Sequence, residues 1–334
     1  MAHFLFLFLC FIWGTNFMLM KKAMLAFDPL SVAWFRVAGG LLPLLLVWLW
    51  RRRPWSLGRE HALPLLLVAI GGYSWPFVIQ PLLIRQIGQS GFIGMMVCFV
   101  PLLTILVSIP MLGIFPKPRQ VAGVVLGLIC SAIILLDGRE QYALSWTTIA
   151  LAISVPLFYA TCNTYIKRRF AGVPALPLTM TALALSTVIL APVPFFADEH
   201  DTPVARGQDT EPGSVPLSPV ATGIPDATPR LLASGDAPSP PPTPLWLPVA
   251  CVVALGVIGT GLGVLIFTKL LQEQGPLYAG MVTYLIPLIA LLWGAVDNEQ
   301  ILPRQMAAFA GVLAAVALVQ FGALQKDTVA PVVE

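Results

Sequence analysis

The sequence predicts an all-α polytopic membrane protein whose ten transmembrane helices form two inverted five-helix repeats. Three observations predict it. Hydrophobic residues make up 57% of the chain and charged residues only 10%, and the mean hydropathy is +0.85, far from the balance of a soluble globular domain. The apolar residues gather into long runs, and about 20 of them in helical form cross a hydrocarbon core of about 30 Å. A pattern between Gly88 and Leu136 also recurs between Gly275 and Gly322. Gly94-Met95 followed by Pro101 answers Gly280-Met281 followed by Pro287, and Pro118-Arg119-Gln120 answers Pro303-Arg304-Gln305.

Taken in order, the runs place helices near 4–25, 29–50, 62–83, 89–111, 119–136, 146–166, 174–197, 245–268, 276–296 and 305–324, the fifth being the shortest. The first lacks a basic n-region and is too long for a signal peptide, and no small-residue cleavage pattern follows Lys21-Lys22, so it is read as a retained helix. Five helices per half mean that the second copy enters from the opposite side. The halves are 1–140 and 141–325, followed by a cytoplasmic tail at 326–334. Duplicated membrane helices are the mark of secondary transporters, which bind solute near the midplane where the repeats meet.

The loops sort by charge. With the N-terminus inside, inner loops and helix ends hold Arg51, Arg52, Arg53, Arg59, Lys117, Arg119, Lys167, Arg168, Arg169, Lys269 and Lys326, against Arg85, Arg139, Arg206, Arg230 and Arg304 outside. Cytoplasmic loops retain Lys and Arg, so both termini are expected in the cytoplasm. The Arg51–Arg53 cluster then reads as a membrane anchor against anionic lipid, and a nucleic-acid partner is not expected. Residues 198–243 interrupt the pattern. This stretch is rich in Pro, Ser, Thr and Gly, carries seven acidic residues against two basic ones, and is expected to be a disordered outer loop.

Chemistry inside the membrane is sparse. All sixteen carboxylates fall in loops or at helix ends, and His3, His61 and His200 lie at the edges, so no intramembrane metal site or cofactor is expected. No Walker A sequence is present. The five cysteines fall within helices as soft packing residues. Two basic residues stand out, Lys21 near the outer end of the first helix and Arg36 about 10 Å into the second. Either one attracts an anionic group such as a carboxylate, or Lys21 snorkels to the interface and Arg36 bonds carbonyls or Asp28. Trp13 and Asn16 share a face, as do Tyr73 and Gln80, and as do Tyr159 and Asn163; Tyr284 adds to them from the ninth helix. They outline an uncharged, partly aromatic cavity, with bonding between helices as the alternative. Pro101 and Pro287 interrupt their helices as kinks or gates.

Trp13-Gly14-Thr15-Asn16-Phe17 followed by Lys21, then Asp28-Pro29 and Arg36, resembles the opening of an EamA-domain protein of the drug/metabolite transporter superfamily. The resemblance continues through the Pro101 helix, Tyr284-Leu285-Ile286-Pro287, Glu299 and the helix from Gln305. It implies a ten-helix carrier of the inner membrane that moves a small metabolite, amino acid-like or otherwise polar or amphipathic, by alternating access and outward. Membrane lipid is the expected surrounding partner, and a homodimer is compatible with the pattern. The chain departs from the family at the position answering Glu299, which falls at Gly113 or Ile114, and in the 198–243 insertion. An integral-membrane enzyme acting on lipid or isoprenoid would want clustered Asp or His at headgroup depth, which this sequence lacks; a non-transporting scaffold is the other alternative.

The topology is tested by labelling. Cysteine in place of Ser214 is expected to react with an impermeant reagent from outside, and cysteine in place of Ser56 is expected to stay unreacted.

Overall fold

The computed structural model describes residues 2–51, 57–113, 118–142, 144–170, 172–196, 244–273, 279, 282–299 and 302–324. Every regular element among them is helical. We number the rods α1 Ala2–Ala23, α2 Pro29–Arg51, α3 Arg59–Ile87, α4 Ser90–Met111, α5 Pro118–Gln141, α6 Trp146–Arg169, α7 Ala175–Leu190, α8 Trp246–Glu273, α9 Val282–Val296 and α10 Pro303–Leu324. Among the described residues, eight helices, α1 to α8, are long and apolar enough to cross a membrane, and α9 contributes the shorter apolar stretch Leu285–Val296. The insertion at 198–243, Met281 and the tail lie outside the described residues.

Three rods are irregular, each for a local reason. In α3 a π-helical stretch, Ala69–Ser74, precedes Pro76. Proline has no N–H to give to the carbonyl four residues back, and its ring crowds that carbonyl, so the backbone widens there. In α4 a 3₁₀ turn, Met96–Phe99, precedes Pro101, and regular α-helix resumes from Val100 with that proline in its first turn. In α8 the π stretch Leu255–Leu262 contains Gly256, Gly259 and Gly261, and the Thr260 hydroxyl donates to the Leu255 carbonyl at 3.0 Å. Pro287 lies within α9, whose described length is α-helical.

The π stretches loosen carbonyls that water would otherwise satisfy, and in an apolar medium each needs a donor. Trp13 Nε1 donates to the Gly259 carbonyl at 2.9 Å, and Ser186 Oγ donates to the Ala69 carbonyl at 3.0 Å. The same stretches are packing seams. The π stretch of α8 lies on α2, and that of α3 lies on α7. A Cβ on Gly261 would meet the Gly40 carbonyl oxygen at 2.5 Å, and one on Gly256 would meet Gly39 Cα at 3.1 Å.

Four helices end four or more residues from their sequence expectation: the seventh stops at Leu190 rather than 197, the eighth continues to Glu273 rather than 268, and the third and fifth run on as well. The fifth, expected to be shortest, runs to Gln141. Its extension is held because Asp137 is buried and faces Arg304 at 3.4 Å, while Gly138 gives room to the Phe92 ring. The third continues to Ile87, where Gly88 in the left-handed region, φ 77°, ends it.

Gly261→Ala is expected to force α2 and α8 apart and to cost about 1–3 kcal/mol, read as a lower melting temperature in detergent. Gly39→Ala, whose Cβ would meet its nearest neighbour at 3.4 Å, is expected to be milder.

Candidate functional site

The middle of the bundle holds a cavity of about 100 Å³, several times the roughly 10–15 Å³ that one water needs. Residues from α1, α2, α3, α4, α6, α8 and α9 line it. Seven positions singled out in the sequence meet there: Trp13, Asn16, Arg36, Tyr73, Gln80, Tyr159 and Asn163. They meet because α1 and α6 cross α3 and α8 at the loosened stretches. Glycine makes the room: a Cβ on Gly259 would fall 2.2 Å from Asn16 Oδ1, and one on Gly263 would fall 2.6 Å from Trp13 Nε1. Pattern alone gave no hint of Thr268, Thr283 or Phe267, which complete the lining from α8 and α9. Single polar residues in an apolar run do not announce which way they face.

Arg36 is the charged member of this lining. It is 5% exposed and bonds side chains rather than the carbonyls or Asp28 weighed in the sequence. Its Nε donates to Thr260 Oγ1 at 3.0 Å and its Nη1 to Gln80 Oε1 at 3.3 Å and Met20 Sδ at 3.4 Å. Its guanidinium lies 3.8 Å from the Phe77 ring centre. Asp28 instead caps α2, accepting from the backbone N–H groups of Leu30 and Ser31, each at 2.9 Å.

Lys21 is outside the lining. It reaches Glu299 Oε1 at 2.8 Å and Asp297 Oδ2 at 2.5 Å, and Lys22 also pairs with Asp297. Glu299, whose side chain is 1% exposed, further accepts from Ser90 N, Ser90 Oγ and Gly91 N, each at 2.7 Å. One carboxylate thus ties the end of α1 to the start of α4 and the end of α9. In the sequence Glu299 belongs to a family motif and has no visible partner; Lys21 and Glu299 are separated by 278 positions, and no local pattern reports such a distance. Pro101 and Pro287 lie on α4 and α9, both of which reach the cavity through other residues. The side chain of Tyr284 lies outside the described residues.

Burial pushes the Glu299 carboxyl up, and the Lys21 ammonium with the Gly91 and Ser90 donors outweighs it, so the group sits below the ordinary carboxylate range. A carboxyl lowered by folding stabilises the protein fully above its unfolded value and loses that contribution as pH falls through its folded value. The affected window therefore lies below about pH 4.3, the ordinary value for Glu.

Comparison with known proteins gives one family match, two similar transporters and one similar solved structure. The model of the EamA-like transporter family matches residues 1–136 and 228–321. An S-adenosylmethionine/S-adenosylhomocysteine transporter of Chlamydia muridarum is 28% identical over 166 residues, covering 48% of this chain and 51% of that protein. A transporter of the same description from Chlamydia trachomatis serovar D is 27% identical over 200 residues, covering 58% and 60%. The chain thus spans about half to three fifths of the length of these relatives. A solved crystal structure superposes with a TM-score of 0.60 at 17% identity, over 97% of this chain and 98% of that one, a likeness of fold alone.

Glu299→Gln is expected to cost about 1.5–3 kcal/mol at neutral pH, the range for hydrogen bonds to a charged group, measured as a lower melting temperature in detergent. The same substitution should flatten the loss of stability on acidification below about pH 4.3, leaving the part that Asp297, lowered in the same direction, contributes.

Proposed function

The chain belongs to the EamA-like transporter family, and from that membership we propose that it is a secondary transporter moving a small metabolite through the central cavity by alternating access. The observation that carries the reading is the cavity itself: polar and aromatic side chains from both halves converge on one space inside a bundle that is otherwise apolar. Binding near the meeting of two halves suits a solute that must be released to either side. The relatives' descriptions make S-adenosyl amino acids the first substrates to try.

The architecture we propose is ten spanning helices in two inverted repeats, 1–140 and 141–325, with α9 and α10 crossing as well. Packing supports the pairing of halves. The contact of α1 with α9 has its counterpart in α6 with α4, that of α2 with α8 in α7 with α3, and that of α1 with α8 in α6 with α3. Both π stretches fall on the paired rods α3 and α8. We further propose the inner membrane, cytoplasmic termini, outward transport and an outer position for 198–243, on the charge asymmetry of the loops.

Proteoliposomes loaded with labelled S-adenosylhomocysteine, and separately with S-adenosylmethionine, are the direct test. Flux at least several-fold above protein-free vesicles, inhibited by unlabelled solute, is the expected result. Well-folded protein that moves neither solute would refute this substrate assignment.

A further inference from the structure

The cavity is asymmetric in charge. Among the described residues its lining includes the Arg36 guanidinium and no Asp or Glu. Among the described residues Arg36 has no carboxylate in ion-pair reach, and its Nη2 has no hydrogen-bond partner, while Nε and Nη1 are held by Thr260, Gln80 and Met20. A buried cation without a counter-ion is costly in an apolar medium. The Asn16 amide is a second unfinished group. It is 2% exposed, lines the same cavity, and its Oδ1 has no partner, although buried polar atoms are nearly always bonded. The Phe77 face, where a second cation could have rested, is already covered by the guanidinium.

We propose that this cavity selects solutes bearing a carboxylate with a hydrogen-bond donor beside it, and disfavours solutes that carry an additional fixed positive charge. Arg36 takes the carboxylate, which supplies the missing counter-ion, and Asn16, whose Oδ1 is packed toward Gly259, turns its amide about its last bond to accept from the donor. A sulfonium or quaternary ammonium elsewhere on the solute finds no carboxylate in the lining to offset its desolvation. The proposal rests on the transport reading above and adds to it the sign of the charge that is recognised.

Three probes separate the terms in proteoliposome flux, each scored as a ratio within one preparation so that differences in the amount of folded protein cancel. S-Adenosylhomocysteine carries the amino-acid arm and a neutral thioether. S-Adenosylmethionine adds a sulfonium, and 5′-methylthioadenosine lacks the arm. We expect S-adenosylhomocysteine to exceed each of the other two by about tenfold, the factor one charge-assisted hydrogen bond supplies. Arg36→Gln should bring its advantage over 5′-methylthioadenosine close to one, and Arg36→Lys should keep part of it, because the charge remains without the planar fork. Should Arg36→Gln fail to fold, Asn16→Asp serves instead: a carboxylate in the same cavity should move the thioether-to-sulfonium ratio toward parity or past it.

Equal flux of S-adenosylhomocysteine and 5′-methylthioadenosine would overturn the carboxylate assignment, and preference for the sulfonium would overturn the charge assignment; in both cases the transport reading stands. Ratios left unchanged by all three substitutions would remove Arg36 and Asn16 from recognition. If no probe moves through folded protein, the transport reading falls for these solutes and the proposal falls with it.

Discussion

The arrangement depends most on one carboxylate. Glu299 bonds Lys21 from α1 and three donors at Ser90 and Gly91, where α4 begins. The N–H groups that open a helix have no partners of their own, and a negative charge placed there also meets the positive end of the helix dipole. Glu299 therefore caps α4 and neutralises Lys21 with the same two oxygens. The surrounding sequence yields to it: Cβ atoms on Gly91 and Gly294 would come within 3.0 and 2.8 Å of Glu299 Oε2, so glycine at both places lets α4 and α9 close around the carboxylate. Because α1, α4 and α9 all border the cavity, this node sets the spacing of three of its walls.

The second constraint is the need to satisfy backbone groups where water is absent. Regular helix meets it without help, and the departures in α3 and α8 meet it with named donors, Ser186 for Ala69 and Trp13 for Gly259. Trp13 shows how structure and site become inseparable. Its N–H satisfies the π stretch of α8, its ring packs on Phe267 at 5.1 Å between centres, and another part of it borders the cavity. Bordering the cavity and satisfying the backbone are done by the same side chain.

Much of the fold was legible because lipid imposes a simple rule on sequence. Apolar run length marked α1 to α8, and most boundaries fell within a few residues. The error at α5 has a clear origin: Asp137 and Arg139 look like the end of a span, yet Asp137 is buried against α10 by Arg304, a partner far along the chain. The cavity was legible through polar residues at helical spacing, which placed Asn16, Tyr73, Gln80, Tyr159 and Asn163 on shared faces. The assignment of Lys21 to a partner was not, since it requires knowing that the loop after α9 folds back beside α1.

The ends of α1 and α6 are tied unequally. Lys21 follows Asn16 by five residues on α1, and Arg168 follows Asn163 by five on α6. Lys21 meets two carboxylates and a capped helix start. Arg168 donates to the Met111 carbonyl at 2.7 Å, at the exposed end of α4. The position answering Glu299 in the sequence falls at Gly113 or Ile114, neither of them acidic, and Gly113, with a φ of 67°, ends that helix. A carboxylate paired with an ammonium and three further donors gives a stronger closure than a single exposed hydrogen bond. The ends of α1 and α6 therefore differ in how firmly they are tied, and the difference traces to one acidic residue, Glu299, beside Lys21.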